Sequence, residues 1–434
     1  MSQARGRYSF IGFEPFAIIE GNGLKTLAKI RQDFQQYFQN SFWGNHKANV
    51  PFLSGIVGYW GYDFGLSLEG IESKNKPLLS LPDCRLAFYD HVIAIDHFKR
   101  RCHVMATGLS EKKNSARLKR AQADVKNIVR QLGRLESARR PDASVGTARP
   151  DKARSLIFKS NFSKNKYLSA VHKALGHIRR GDIYQINLSQ QFMWDARKDH
   201  VAIDPVDVYE ALRKLSPSSF AGYLDCGAFQ ILSSSPERFV KVKNRIVQTC
   251  PMKGTRRRGK NMAEDVHLKN DLLRSTKEKA ELLMVTDLER NDLGRVCRFG
   301  SVEVRQMRAL EKYKTVFQTT ATIEGVLRKD KDAFDVIANC FPSGSVTGCP
   351  KIRAMQIIDE LEPTRRGCYT GAMGFIDARG GMDLGMLIRA IVVKDNRASF
   401  HVGGGIVSDS NPEREYEETL IKAQAMKRAL EMAL

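Results

Sequence analysis

The stretch YTGAMGFIDARGGMDLGMLIRAIVVKDNRASFHVGGGIV, residues 369–407, constrains the fold most, because β-forming segments follow one another there with no helix between them. Segments nearer the amino terminus have the same character. RYSFIGFEPFAIIE alternates, VPFLSGIVGYWGYDFG is a glycine-punctuated apolar strand region, and LAFYDHVIAIDHFKRRCHVMAT reads as a hairpin. IYQINLSQQFMW and SSFAGYLDCGAFQILSSSPERFVKVKNRIVQTCP add further strands. Helical segments are kept apart from these runs. They fall around 24–38, in a basic stretch at 110–135, and at 161–180 behind the start signal Ser163. KNDLLRSTKEKAELLMVTDLERNDLGRV reads as one long helix closed near Gly294, KDAFDVIANCFPSGSVTGCPKIRAMQIIDELEP as helix, glycine loop and helix, and a last helix follows Pro412. Strand runs separated from helix runs imply a mixed α+β body with antiparallel sheets. SARRPDASVGTARPDKARS is the one boundary in the chain, dividing an amino-terminal portion (1–140), a linker (141–160) and a carboxy-terminal catalytic portion (161–434).

The 434 residues are 42% hydrophobic, ample for a large core. No apolar run is long enough to span a bilayer, and MSQARGRYSF lacks a secretory segment, so a cytoplasmic protein is expected. The eight cysteines form no CxxC pair and read as reduced, mostly buried thiols. A net charge of +22 raises the alternative of a basic nucleic-acid-binding protein. Much of that excess lies between Lys99 and Lys159, without the interleaved aromatics that stack on bases, so nucleic acid is not the expected partner.

QTCPMKGTRRRG, residues 248–259, sets Lys253 between a proline and a glycine in what reads as a chain turn. An amine attacks only when neutral, and Arg256, Arg257 and Arg258 follow it immediately, as neighbouring cations that would lower its proton affinity. Glu281 lies among apolar helical residues, where a carboxylate needs a cation. Glu415, Glu418 and Lys422 share one face of the last helix; such spacing makes an exposed ion-pair face, or half of a Mg²⁺ site completed from another helix. GSVTGCPK fails the Walker spacing, which excludes an ATPase, yet its backbone amides and those of Gly403, Gly404 and Gly405 suit a carboxylate. Arg389, in apolar MLIRAIVV, needs an anion. Together these point to a small polyanionic acid.

PMKGT, SPERF, ELLMVTDLERNDLGRV, GSVTGCPKIRAM, YTGAMGF, LIRAI and GGGIVSDSNPEREYEET resemble the chorismate-utilising enzymes from about residue 160 to the end, and RYSFIGFEP and GYWGYDFG look like that family's amino-terminal portion. The resemblance implies a single α/β sandwich with two large antiparallel sheets and helices outside. Within the family, alanine before Gly-Thr looks typical of anthranilate, isochorismate and salicylate synthases, and lysine of aminodeoxychorismate synthases; here it is Lys253. The implied function is component I of an aminodeoxychorismate synthase, on the route to p-aminobenzoate and folate. It would aminate chorismate with ammonia from a separate glutamine amidotransferase subunit; no GxCxG nucleophile occurs in this chain. Anthranilate synthase component I is the alternative.

By the same resemblance, Lys253 would be the nucleophile and Glu237 the general acid. Mg²⁺ would be held by Glu281 and Glu418, with Glu415 through water and Lys422 close by. Tyr369 and Arg389 would hold the enolpyruvyl carboxylate, assisted by Gly403, Gly404 and Gly405. Gly254, Thr255, Ser345 and Thr347 would line the substrate, and Gln185 stands where water-using relatives carry a lysine base. Two departures stand out: Gln318 replaces a family histidine, and the chain opens almost directly at RYSFIG, where relatives have a preceding strand that helps form a tryptophan pocket, so either the start is truncated or that pocket is incomplete.

Overall fold

The computed structural model describes residues 6–38, 50–111, 113–137, 156–313 and 316–434. Residues 141–155, most of the expected linker at 141–160, lie outside them. Two large sheets form the body, and every strand pairing is antiparallel. The larger runs, in spatial order, Met252–Arg257, Val316–Val326, Ile246–Cys250, Arg238–Lys243, Met382–Met386, Ala372–Asp377, Gly55–Trp60, Cys84–Tyr89 and Ala17–Gly21, with Glu303–Lys312 also on Val316–Val326. Strands from both sides of the linker therefore share one sheet. The second sheet runs Gly348–Cys349, Gln185–Asp195, Arg397–Ile406, Ala390–Lys394, Phe229–Ser235 and Phe220–Asp225, with Lys159–Ser160 on Gln185–Asp195.

The period of two decides what lies between the sheets. Phe229 and Ile231 point into the seam, where they meet Tyr59 and Leu387. Leu232, the next residue along the strand, points outward to Val208, Leu212, Met426 and Leu430 on helices Pro205–Leu215 and Pro412–Met432. Helices Lys164–Arg179 and Lys351–Leu361 cover the rest of that outer face, while Gly23–Phe38, Thr276–Gly294 and Ala333–Cys340 cover the larger sheet. This is the expected sandwich. It carries in addition a small sheet of Tyr8–Ile11, His91–Asp96 and Arg101–Ala106.

Three local expectations are corrected. The hairpin at 86–107 is three strands, divided between two sheets at buried Asp90, whose carboxylate takes Ser110 Oγ at 2.5 Å and His91 Nδ1 at 3.1 Å. After strand Gly55–Trp60 the segment YDFGLSL is helical, not a continuation of the strand. The long helix is two, Met262–Arg274 and Thr276–Gly294. Ser275 Oγ accepts from the Glu278 amide to cap the second, and Arg308 takes the carbonyls of Leu272, Leu273 and Ser275 at the end of the first.

A buried ion pair ties the second sheet to the loops that line the seam. Arg366 donates to both Glu362 oxygens at 2.7 and 2.9 Å, and also to the Asn187 and Val346 carbonyls and to Thr370 Oγ1. Glu362 Oε1 accepts in turn from the Ser189 amide and hydroxyl. Glu362→Gln leaves Arg366 a buried cation without its counter-ion and is expected to lower the unfolding free energy by about 3–5 kcal/mol. Chemical denaturation measures this, and a loss under about 1 kcal/mol would show that the pair is not structurally important.

Candidate functional site

Lys253 lies on strand Met252–Arg257, not in a turn. It pairs with Thr319, but Thr255 pairs with Gln318, so Gly254 is an extra residue in the strand. Gly254 has φ 74°, and a Cβ there would come within 2.8 Å of Leu272 Cδ1 and 2.9 Å of Glu278 Oε2. Only glycine satisfies both demands. The bulge turns the lysine into the seam, where Nζ donates to the Ser345 carbonyl at 3.3 Å. Burial lowers its proton affinity; Glu281 and Glu237 oppose this, and Lys422 reinforces it. The arginine run does not act as expected. Arg256 pairs with Asp271 and Glu278, Arg257 with Glu264 and Arg258 with Asp265, so their charge is spent on acids of helices Met262–Arg274 and Thr276–Gly294.

Glu237 is buried at the loop before strand Arg238–Lys243. Burial pushes its carboxyl up to about 7, against the pull of Lys253 and of a hydrogen bond from Ser345 Oγ at 2.9 Å. Ser345 belongs to the turn Gly344–Val346, and three successive amides here are already used: Ser345 N donates to Ser343 Oγ, Val346 N to the Ser343 carbonyl and Thr347 N to that of Gly344. The glycine loop is therefore not the free amide cradle expected of it. Thr347 turns its hydroxyl onto the Ser343 carbonyl at 3.0 Å.

Gly403, Gly404 and Gly405 lie on strand Arg397–Ile406, paired on one side to Ser189, Leu188 and Asn187. The neighbour on the other side, Ala390–Lys394, ends its pairing at Ser399, which leaves that edge without a strand partner among the described residues. Side chains converge on the glycines. A Cβ at Gly404 would meet Glu415 Oε2 at 3.2 Å and Glu418 Oε1 at 3.7 Å. One at Gly405 would meet Gln185 Nε2 at 2.9 Å and Lys253 Nζ at 3.9 Å, and Lys422 Nζ donates to the Gly403 carbonyl at 3.0 Å. Gln185 Oε1 is buried there without a hydrogen-bond partner among the described residues.

The carboxylates fit a hard cation, since all their donors are oxygen. Burial raises the proton affinity of Glu281 and of Glu415; for Glu281, neighbouring Glu278 and Glu415 add to the rise. Burial would do the same to Glu418, but Lys422 at 2.6 Å, with Lys277 and Lys253, holds it below its ordinary value. The three are not gathered tightly. Among the described residues only Asp90, His91 and Asp124 bring ligand atoms within 4.8 Å of one another; there Asp90 is taken by His91 and Ser110, and Asp124 by Arg120.

The sequence profile of the chorismate binding enzymes matches residues 1–428. The chain belongs to that family. Anthranilate synthase component 1 of Acetivibrio thermocellus is 38% identical over 98% of this chain and 87% of its own length. Aminodeoxychorismate synthase component 1 of Bacillus subtilis is 34% identical over 99% and 90%. The crystal structure of anthranilate synthase component I from Streptococcus pneumoniae superposes with a TM-score of 0.81 at 32% identity, covering 97% of this chain and 92% of that one. No helix among the described residues is long and apolar enough to cross a membrane.

In this chorismate binding enzyme Arg389 is not inside a strand. It sits at a kink between Met382–Met386 and Ala390–Lys394 with φ 52°, and its Nη1 donates to Ser216 Oγ at 3.3 Å. It forms no ion pair among the described residues, and burial lowers its proton affinity. Tyr369 stacks on His401 with ring centroids 5.1 Å apart and planes 10° from parallel. Gln318 Nε2 donates to Thr255 Oγ1 at 3.1 Å while its Oε1 is buried without a partner among the described residues. Sequence reasoning did not single out Glu289. It is 3% exposed, takes Ser343 Oγ at 2.7 Å and Thr249 Oγ1 at 3.1 Å, and its signal was its place on the buried stripe Leu282, Val285, Thr286, Glu289, Asp292, Leu293.

A folded-state value near 7 in place of 4.5 means that native Glu237 keeps its proton where the unfolded chain has released it. Stability is therefore lost as pH rises from about 4.5 to 7. At roughly 1.4 kcal/mol per unit the loss is about 3 kcal/mol. Glu237→Gln is expected to unfold with about 3 kcal/mol more free energy than the unsubstituted protein at pH 8, measured relative to their difference at pH 4. Equal pH dependence in the two proteins would contradict the buried carboxyl.

Proposed function

We propose that the chain is component I of an aminodeoxychorismate synthase, converting chorismate and ammonia to 4-amino-4-deoxychorismate for p-aminobenzoate and folate synthesis. The observation that carries this is Lys253 itself: an amine turned into the seam by a bulge, with burial lowering its proton affinity, between Glu237 and Glu281. Nitrogen must arrive at the ring carbon that loses its hydroxyl, and on the same face, which calls for two successive displacements and an enzyme nucleophile. Lys253 Nζ adds at C2 while the C4–O bond breaks, and Glu237 gives its proton to the departing oxygen as water. Ammonia then bonds to C4 and the C2–Nζ bond breaks, returning the amine.

The other residues bind and orient. Arg389, a buried cation with no ion pair among the described residues, and Tyr369 hold the enolpyruvyl carboxylate beside the strand edge at Gly403, Gly404 and Gly405. Mg²⁺, held by Glu281 and Glu418 with Glu415 behind, would anchor the ring carboxylate as a Lewis acid. Gln185 offers an amide and not a base, which disfavours water as nucleophile. A separate glutamine amidotransferase subunit supplies the ammonia, in the cytoplasm. A second reading, anthranilate synthase component I, is favoured by the names of the Acetivibrio and Streptococcus relatives.

Incubation with chorismate, Mg²⁺ and an ammonium salt is expected to release 4-amino-4-deoxychorismate, read by chromatography before and after a lyase that yields p-aminobenzoate. Lys253→Ala is expected to fold and to lose that product by on the order of a hundredfold or more, or to divert it to anthranilate. Fluorescent anthranilate from the unsubstituted protein without any lyase would establish the second reading.

A further inference from the structure

The general acid of the proposed reaction does not end at its own side chain. Ser345 Oγ donates to Glu237 Oε1 at 2.9 Å, Ser345 and Ser343 hydroxyls lie 3.0 Å apart, and Ser343 Oγ donates to Glu289 Oε1 at 2.7 Å. All four residues are buried, none more than 6% exposed. Each serine has one hydroxyl proton, and with both carboxylates ionised those protons are committed outward, one to each acid. The 3.0 Å contact between the hydroxyls then carries no hydrogen. One added proton repairs the chain whichever end it occupies: on Glu237 it makes every hydroxyl point toward Glu289, and on Glu289 it makes every hydroxyl point toward Glu237.

We propose that Glu237, Ser345, Ser343 and Glu289 form a relay holding a single shared proton, and that Glu289 supplies that proton to the acid. Resting on the reading that Glu237 protonates the departing hydroxyl, the step balances as four transfers. With the shared proton on Glu289, Glu289 gives it to Ser343, Ser343 gives its own hydroxyl proton to Ser345, Ser345 gives its own to Glu237, and Glu237 passes that proton to the leaving oxygen. Glu289 ends as a carboxylate and water carries the proton away. The site thereby delivers a proton to the leaving oxygen through buried groups, without admitting bulk solvent to the seam. Thr249 Oγ1, within 3.1 Å of Glu289 Oε2, supports the far end. The charged groups facing the chain are Lys253 at the Glu237 end and Asp292, paired with Lys351 at 2.5 Å, at the Glu289 end.

Two variants test this, with chorismate loss as the readout under saturating ammonium. Glu289→Gln keeps an acceptor for Ser343 but carries no proton to give. It is expected to leave KM for chorismate within about twofold, to lower kcat roughly ten- to a hundredfold, and to move the alkaline decline of kcat to lower pH, because a neutral amide no longer repels ionised Glu237. Ser343→Ala cuts the chain while keeping both carboxylates, so it is expected to lower kcat similarly with the alkaline decline unmoved. Wild-type kcat in either variant, folded by its thermal transition, overturns the relay. So does a fall in kcat with an unmoved pH limb in Glu289→Gln, which is what a packing defect alone produces. Should Glu289→Gln not fold, Ser343→Ala decides by itself. Chorismate loss does not depend on which product forms, so product identity in the same mixture tests the proposed function separately.

Discussion

An amine and a carboxylic acid, both starved of water in one seam, are the constraint on which the site depends. Burial lowers the proton affinity of Lys253 and raises that of Glu237 to about 7, so the same desolvation moves both toward their neutral forms. Each would rather be charged beside the other, and each pulls the other's value back. The balance matters chemically: a neutral amine can attack, and a neutral acid can donate. Neighbouring Glu281 keeps the amine from losing its proton too readily, and Lys422 does the opposite.

That balance needs walls that do not relax. The bulge at Gly254 aims the lysine, and the pairing of Lys253 with Thr319 fixes its height in the sheet. On the facing sheet, Gly403, Gly404 and Gly405 let Glu415, Glu418, Gln185 and the lysine approach a strand edge that side chains would fill. Arg366 holds the loop carrying Val346 and the strand carrying Asn187 at a fixed separation, with Glu362 as its counter-ion. Four acids from the two helices after Lys253, Asp271, Glu278, Glu264 and Asp265, neutralise three arginines that would otherwise repel the amine's protonated form.

What the sequence made legible was whatever depends on local pattern. Alternation marked the strands, Ser163 and Pro412 marked helix starts, and motifs carried Lys253, Glu237 and the carboxylates of two separate helices to one place. It was blind where a distant partner decides. Nothing near Ser275 in sequence announces that Arg308 will take the last carbonyls of the preceding helix, so two helices read as one. The arginine run reads as free charge until the acids that fold over it are known. GSVTGCPK reads as an open amide loop, because only the structure shows Ser343 consuming its amides. Glu289 was hidden by chemistry, not position: it falls on the apolar stripe of its helix, where an acid looks like noise unless a hydroxyl is there to meet it.

The central claim is that one lysine bonds to the substrate ring. The direct measurement is peptide mass spectrometry of the protein mixed with chorismate and Mg²⁺ in the absence of ammonia and quenched rapidly. The account predicts an increase equal to chorismate less one water, confined to the peptide bearing Lys253. Turnover of chorismate, once ammonia is supplied, by a protein that never carries that mass on Lys253 would contradict it.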